Sequence, residues 1–576
     1  MDIEQLQKLK KELVFHYGEM HRRLALAATY YNGEFTVATW KDVTPYRPAT
    51  AKNKVDVTTD HVMAIGRTVD CPAWGESERA KLLAGKLTRF GEGVMTQLER
   101  HSGGNQVRGA VKHLFLYGMS DIKGPVFIKE HWPKKPKLLG LRGDERKEAI
   151  QKYEERRSRA WPFETKIVNP LELLVDPDMD NPQFVIEAYK RKAMQIRRNW
   201  PKWDKKHVYD DMADVEWWEY WDDRQYCLMA GNEPVTDGFE PNWLGYNPHH
   251  IAYSGLGEHS PNGGPEYKVV GIVYPSISAF DAEAELKTAT TTHVKLETYG
   301  ERVFESPPAE DVKLATAPGE GSVVPEHYHM RIERPVPLNP DALKMIGMVG
   351  EDIDTATASP MLEGDKPTGI ASGFLGAIFV GQARVRMEGP TSNTSLQLGN
   401  YLNHCGQLVR DVIEEPVTVR GTMSGGSLSE TVKPEDFDDD PQFVVKFDGK
   451  TPEERDRRFE LGMKAQAANA LSWETIAEDF YGVDPSEERL KMLQEEVLKD
   501  PQLRKIMAVA AMHKFGMDKF REMLGGAAKL KESGEQPQGP QAPSPTEPGR
   551  QMQRLDNLSM PRELGSPQEQ TNYEPG

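Results

Sequence analysis

Four carboxylates are the first residues of this chain whose types and spacing could do chemistry. Asp176, Asp178 and Asp180 alternate, and Glu187 stands at the twelfth position of the same frame. A calcium loop uses that spacing, with hard oxygens at alternating positions closed by a bidentate glutamate. Here, however, Asn181 stands where such a loop needs glycine, and Pro177 and Pro182 stiffen the turn. The flanks LELLV and FVIEAY have strand character, so a strand–turn–strand is the expected structure and no metal site is assigned.

Histidines cluster at His249-His250 and at His327-Tyr328-His329. Neither group has a Cys or carboxylate at ligand spacing, so surface or strand positions are expected rather than a metal centre. Asp436, Asp438, Asp439 and Asp440 surround Phe437; two-metal nucleases use such acid clusters, but nothing nearby is expected to supply a basic partner, and a solvated turn before a strand at Phe443–Phe447 is expected. Gly364-Asp-Lys-Pro-Thr-Gly369 lacks the Lys-Ser/Thr end of a phosphate-binding loop, and no G-x-S-x-G elbow occurs. No catalytic residue and no cofactor site is expected, and the chain reads as a non-enzyme.

The elements that would position these groups follow from periodicity and caps. Residues 1–33 begin as an amphipathic helix with Leu6, Leu9, Leu13, His16, Tyr17 and Met20 near helical spacing. A loop at 41–60 leads to a helix at His61–Val69, a second helix covers Glu76–Glu99, and 107–119 reads as a buried helix. Strands are expected around Val126–Glu130 and Lys166–Val168. The charged segment 134–160 between them reads as a solvated helix, with a nucleic-acid patch the weaker reading because acids are interleaved. Residues 183–253 alternate and are rich in Trp and Tyr, as half-buried strands are; a base-stacking platform is the less favoured alternative.

Further on, a helix at 272–299 about 42 Å long is expected, its true start a few residues after Pro275. Asn339-Pro340-Asp341 combines three helix-start signals, and Leu343, Ile346 and Ile353 share a face of the helix that follows. A helix through 374–413 must break at Gly389-Pro390. Thr451-Pro452-Glu453-Glu454, Ser472, Asp484-Pro485 and Asp500-Pro501 open the closing helices. The Gln/Pro/Ser/Gly-rich stretch 531–576 is expected to be disordered.

With 576 residues, two to four domains are the prior. No apolar run approaches the roughly 20 residues that cross a bilayer, and the charged N-terminus has no secretory apolar region. Cys71, Cys227 and Cys405 are scattered and odd in number, which fits a reducing cytoplasm. A net charge of −17 argues against a broad cationic nucleic-acid surface, though not against DNA that passes without sticking.

The order of these pieces resembles the portal proteins of tailed bacteriophages, the head-to-tail connectors. The resemblance is carried by IVNPLELLVDPDM (167–179), GLGEHSPNGGPEYKVVGIVYPSISAFDAEAEL (255–286), ALKMIGMVGEDIDTATAS (342–359), GFLGAIFVGQARVRM (373–387) and the run from Thr451 to Leu493. It spans roughly residues 40–500. It implies an α+β portal-type fold: wing elements in 1–254 and 415–450, a lead-in and first stem helix at 255–299, and a clip at 300–339. A second stem helix at 340–356, a tunnel loop at 357–373, a long kinked helix at 374–414 and a helical crown at 451–530 complete it.

The resemblance also implies a homo-oligomeric, dodecameric ring at one capsid vertex of the virion, assembled in the host cytoplasm. Double-stranded DNA would be packaged through it by the terminase large subunit and later ejected. Capsid and scaffolding proteins and head-completion or tail adaptors would be partners, with no membrane. Repeated around a ring, single cations become belts, and Lys366, Lys344, Lys287 and Lys295 are the channel candidates. Gly389-Pro390 is the candidate switch. The alternatives are another virion structural or adaptor protein, or a DNA-processing enzyme.

Overall fold

The computed structural model describes residues 2–305, 329–357 and 387–476 apart from short interruptions, with isolated positions to 493. Most of the segment expected as a clip (306–328, with His327 and Tyr328), that expected as a tunnel loop beyond 357 with Lys366, residues 374–386, the helix starts expected at Asp484 and Asp500, and the 531–576 stretch lie outside the described residues. The chain divides into two units, Met1–Thr451 and Pro452–Gly576.

In chain order the first unit contains α1 (Ile3–His16), α2 (Gly18–Asn32), α3 (Thr50–Ala64), β1 (Arg67–Asp70), α4 (Glu78–Glu99), α5 (Gln106–Tyr117), β2 (Met119–Phe127) and α6 (Gly143–Arg157). There follow β3 (Phe163–Val168), β4 (Leu173–Val175), β5 (Phe184–Lys192), α7 (Ala193–Asn199), β6 (Asp214–Asp222), β7 (Gln225–Ala230), β8 (Glu233–Pro234), β9 (Glu240–Pro241) and β10 (His249–Tyr253). The unit closes with α8 (Ile277–Tyr299), β11 (Glu301–Glu305), β12 (His329–Glu333), α9 (Pro340–Ala356), α10 (Glu388–Leu408), β13 (Val417–Met423), β14 (Gly426–Val432) and β15 (Val444–Phe447). The second unit holds α11 (Pro452–Ala467) and a helical turn at Trp473–Thr475, whose N-cap Ser472 accepts the Thr475 backbone N–H. Helices and strands are mixed throughout, an α+β architecture.

Local chemistry explains most helix ends. Asp2 and Gln5 form a reciprocal capping box at α1, and Ser77 and Asn105 accept backbone N–H groups at the starts of α4 and α5. Gly118 ends α5 at φ +85, a conformation that β-carbons resist. The expected first helix is broken at Tyr17, and His16 is exposed rather than on the buried stripe. Pro48 fixes the chain just ahead of α3, so that helix starts far earlier than His61. Arg67–Asp70, expected as helix, is a strand, because β15 offers it an antiparallel partner from Val444 to Phe447. Two-fold alternation wins there over a local helical pattern.

Three sheets frame the polar groups of this unit. β10, β2 and β3 form an antiparallel sheet in that order. β4-β5-β6-β7-β8 form a second, with β9 against β7. β13 and β14 make a hairpin that lies on α4. The contact is close: a Cβ at Gly93 would sit 2.6 Å from the Val419 side chain, and one at Gly421 would sit 2.8 Å from Thr96 Oγ1. Trp217, Trp218 and Trp221 are buried, so the aromatic-rich strands form core and not a stacking platform.

α8 begins after a 3₁₀ turn at Tyr274–Ser276, with Pro275 in that turn as its missing N–H requires. At 23 residues it is about 35 Å long. α9 packs against α8, and its C-terminal end lies by the 3₁₀ turn that opens α8, so the two helices form an out-and-back hairpin. β11 and β12 pair beyond the far end of that hairpin.

Candidate functional site

The expected strand–turn–strand at Asp176–Glu187 is what the chain forms. The Asp176 carboxylate accepts the backbone N–H groups of Asp178 and Gln183, both at 3.1 Å. Asp180 pairs with Lys268 at 2.5 Å. Glu187 lies in β5 and accepts Lys123 and Lys166, each at 2.6 Å. Three of the four carboxylates thus serve a turn, a surface ion pair and a buried ion pair. Among the described residues no cluster of His, Cys, Asp and Glu has the makings of a metal centre.

Glu187 belongs to a charged layer between the two larger sheets. Lys123 of β2 bridges it to Glu219 of β6, again at 2.6 Å. Glu219 also accepts the indole N–H groups of Trp217 at 2.8 Å and Trp221 at 3.1 Å. Burial alone would raise the Glu219 carboxyl, but the Lys123 charge and these donors hold it down at about 2. Burial likewise works against the Lys123 ammonium, and the two glutamates reverse that and raise it. Charges so placed tie one sheet to the other, and removing one leaves its partner desolvated. Glu187 is the lone charge of FVIEAY, Lys123 shares DIKGPVF with Asp121, and Glu219 shares EWWEYW with Glu216; a charge amid apolar strand residues is the one sign in the sequence that could have found them.

The paired histidines sit in β10 as strand residues, and both are buried. His249 Nδ1 meets Asp121 at 2.6 Å, with both side chains shut off from solvent. His250 Nδ1 faces the carbonyls of Ile122 (3.1 Å) and Pro248 (3.2 Å), so it must carry the proton. His250 Nε2 is then an acceptor, and His404 Nδ1–H of α10 donates to it at 2.7 Å. Burial and the neighbouring His404 push His250 down to about 3, and burial pushes His404 down to about 4. Gln397 adds bonds from its amide N–H to the carbonyls of His250 (2.6 Å) and Ser120 (3.2 Å). Polar contacts thereby seat α10 on β10 and β2.

The acidic run is not without basic partners. Asp436 pairs with Lys86 of α4 at 2.5 Å, and Arg410 donates to Asp440. Both cations come from segments remote in sequence, which hides them from a local reading of the run. Phe437 between them is buried, so the segment is a turn pinned to the core.

Gly389 and Pro390 occupy the first turn of α10, where the proline's missing N–H costs no helical bond. Among the described residues the pair marks a helix start rather than a bend inside one. Sequence reasoning missed the other end, where the backbone passes into a π-helical turn at Val409–Ile413 and Glu414 takes φ +52.

Three of the four channel candidates, Lys287, Lys295 and Lys344, fall along the helical hairpin. Lys287 pairs with Glu283 at 2.6 Å, and Glu283 also accepts the Thr50 hydroxyl at 2.9 Å. Lys344 pairs with Asp341 at 3.0 Å on the exposed first turn of α9. Lys295 is exposed and makes no ion pair among the described residues. The base of the hairpin is in the core through Phe280, Ala284 and Ile353, and Lys54 of α3 ties down Asp354 at 2.6 Å. Its far part is different. Val294 and Leu296 on α8, and Leu343, Met345 and Met348 on α9, are exposed, from 43% at Leu296 to 64% at Met348. Leu343 keeps by helical spacing the face it shares with Ile353, but toward the far end that face has no cover.

An open groove of about 520 Å³ runs between α10 and β15, walled by residues such as Ser392, Ser395, Leu396, Asn400 and Lys446. No histidine, cysteine or carboxylate pair converges on it. No helix among the described residues is long and apolar enough to cross a membrane.

No protein-family model matches this chain, and no curated protein matches it. Among solved structures, a chain of the virion of a native gene transfer agent (GTA) particle is similar at 10% identity, over 80% of this chain and 94% of that one, with a TM-score of 0.38. A chain of the neck of an empty GTA particle is similar at 11% identity, over 76% and 91%, with a TM-score of 0.36. Superpositions this loose carry no argument about function.

Proposed function

We propose that this chain is a portal protein: one subunit of a ring at a capsid vertex, through which terminase drives double-stranded DNA inward and through which the DNA later leaves. The observation that carries the reading is the α8–α9 hairpin. Its base is rooted in the core, while its far part presents Val294, Leu296, Leu343, Met345 and Met348 to solvent. A helix apolar around much of its circumference needs cover on more than one side. Copies arranged head to tail supply that cover when the rotation closes into a ring. The portal-like order of sequence segments supports the same reading.

In this reading α8 and α9 are stem helices, β11 and β12 the base of the clip, and the mixed sheets the wing. Residues 357–373 would form the tunnel loop, α10 the helix beyond it, and α11 the start of the crown. Lys295, Lys344 and Lys366 are the cations offered to DNA, Lys344 carrying only a solvent-exposed pair with Asp341; Lys287 is held by the buried Glu283. Head-completion or tail proteins would attach to the assembled ring, and capsid and scaffolding proteins would surround it. No bond is made or broken by the chain itself.

Negative-stain imaging and mass measurement of the purified chain test the proposal. A ring with a central hole is expected, with neither ATPase nor nuclease activity. A chain that remains monomeric alone and in assembled particles would overturn it. A ring without a through-hole would favour another virion structural or adaptor component.

A further inference from the structure

Between Lys134 and Arg159 the chain reverses the sign of its charge: basic residues outnumber acidic ones there, in a protein whose net charge is −17. The segment includes α6, a helix with no buried residue. It is moored at its base through Glu415, a largely buried carboxylate that accepts Lys135 at 2.7 Å, the Trp132 indole N–H at 3.4 Å and the Tyr153 hydroxyl. Fold stability therefore does not explain the outward charges.

Ion pairing does not explain them either. Two of the five acids of α6 are met by lysines, Asp144 by Lys147 at 3.4 Å and Glu148 by Lys152 at 2.6 Å, while Glu145, Glu154 and Glu155 have no ion pair among the described residues. Arg157 lies over the Tyr153 ring. Left over are Lys134, Lys137, Arg142, Arg146, Arg156 and Arg159, all exposed and without an ion pair among the described residues. Interleaved acids make a nucleic-acid role the weaker reading of this segment from sequence; the pairing pattern answers that objection in part, because six exposed, unpaired cations stand against three unpaired acids. Guanidinium groups present planar donor forks that match phosphate oxygens. Screening confines the repulsion of distant acids to about 8 Å at physiological salt, so the local sign governs.

We propose that the 134–159 lobe is a contact surface for the phosphate backbone of double-stranded DNA, engaged without sequence preference. The surface is complete within one chain and is separate from the hairpin, so it does not rest on the ring reading. Phosphate contacts position a duplex without addressing base edges, and an exposed helix with no apolar face suits that task.

The test is fluorescence anisotropy of a short labelled duplex with the full-length chain. The wild type should bind at ~50 mM salt and weaken steeply toward ~200 mM, as counterion release requires. The triple variant Arg142→Glu/Arg146→Glu/Arg156→Glu should bind at least about tenfold more weakly, with a log–log salt slope shallower by roughly 2–3. The double variant Lys11→Ala/Arg79→Ala, at exposed basic residues outside the lobe, should keep most of the affinity. Circular dichroism and mass measurement should show helix content and assembly unchanged in both variants. The proposal is overturned if the wild type does not bind, if the triple variant binds as the wild type does, or if poly-glutamate at equal charge displaces the duplex as readily as unlabelled DNA, which would mark an acidic protein partner.

Discussion

The near and far parts of the α8–α9 hairpin are built from similar residues and meet opposite environments. Near the base, Phe280, Ala284 and Ile353 are buried and polar ties from Thr50 and Lys54 fix the helices. Toward the far end, leucines and methionines of the same helices stand in solvent. The difference teaches that one hairpin can serve two purposes: the base holds the chain's own fold, and the far part is finished only by something outside the chain.

The largest expected effect is at the base. Phe280→Ala should destabilise the single chain by about 3–5 kcal/mol in denaturant unfolding. A loss near zero would mean that the base is no more rooted than the far end.

Acid should come next, acting on a second region, through the His250–His404 contact that seats α10 on β10. Both imidazoles are held well below their ordinary value, so the folded chain keeps them neutral while the unfolded chain would protonate them. Their contribution is fully present above about pH 6.5 and is lost as pH falls toward 4, at about 1.4 kcal/mol per unit for each group. Urea unfolding across that window measures the slope, and His250→Asn/His404→Asn should flatten it. An unchanged slope would remove these residues from the account.

Lys54→Met should cost about 1–3 kcal/mol, since it strips Asp354 of a partner at a mostly buried site. A neutral result would show that the root depends on apolar burial alone.

The smallest effect on the single chain is expected at the far end, and it sharpens the comparison most. Met345→Lys/Met348→Lys should change unfolding free energy by no more than about 0.5 kcal/mol, as exposed substitutions do. The same change should abolish ring formation by mass measurement; rings that persist would show that this surface is not an interface.

Legibility in the sequence follows the range of the interactions. The caps at Ser77, Asn105 and Ser472, the solvated helix α6 and the start at Pro340 are readable because the deciding atoms lie within a few residues. Arg67–Asp70 reads wrongly as helix because its partner strand comes from the far end of the unit. The pairings Lys123–Glu187–Glu219, Asp121–His249 and His250–His404 are hidden for the same reason: a charge inside an apolar strand can be seen in the sequence, but its partner cannot until sheets and helix are superposed. The unequal halves of the hairpin are only half legible: periodicity gives the helices, but not which of their apolar residues lack cover.

The glycine seam between α4 and the β13–β14 hairpin has a mechanical consequence. With no room for even a methyl group at Gly93 or Gly421, the hairpin has no slack in which to creep along the helix. A pull on its tip is therefore passed to α4 as on a rigid lever, and yielding there means lifting off whole.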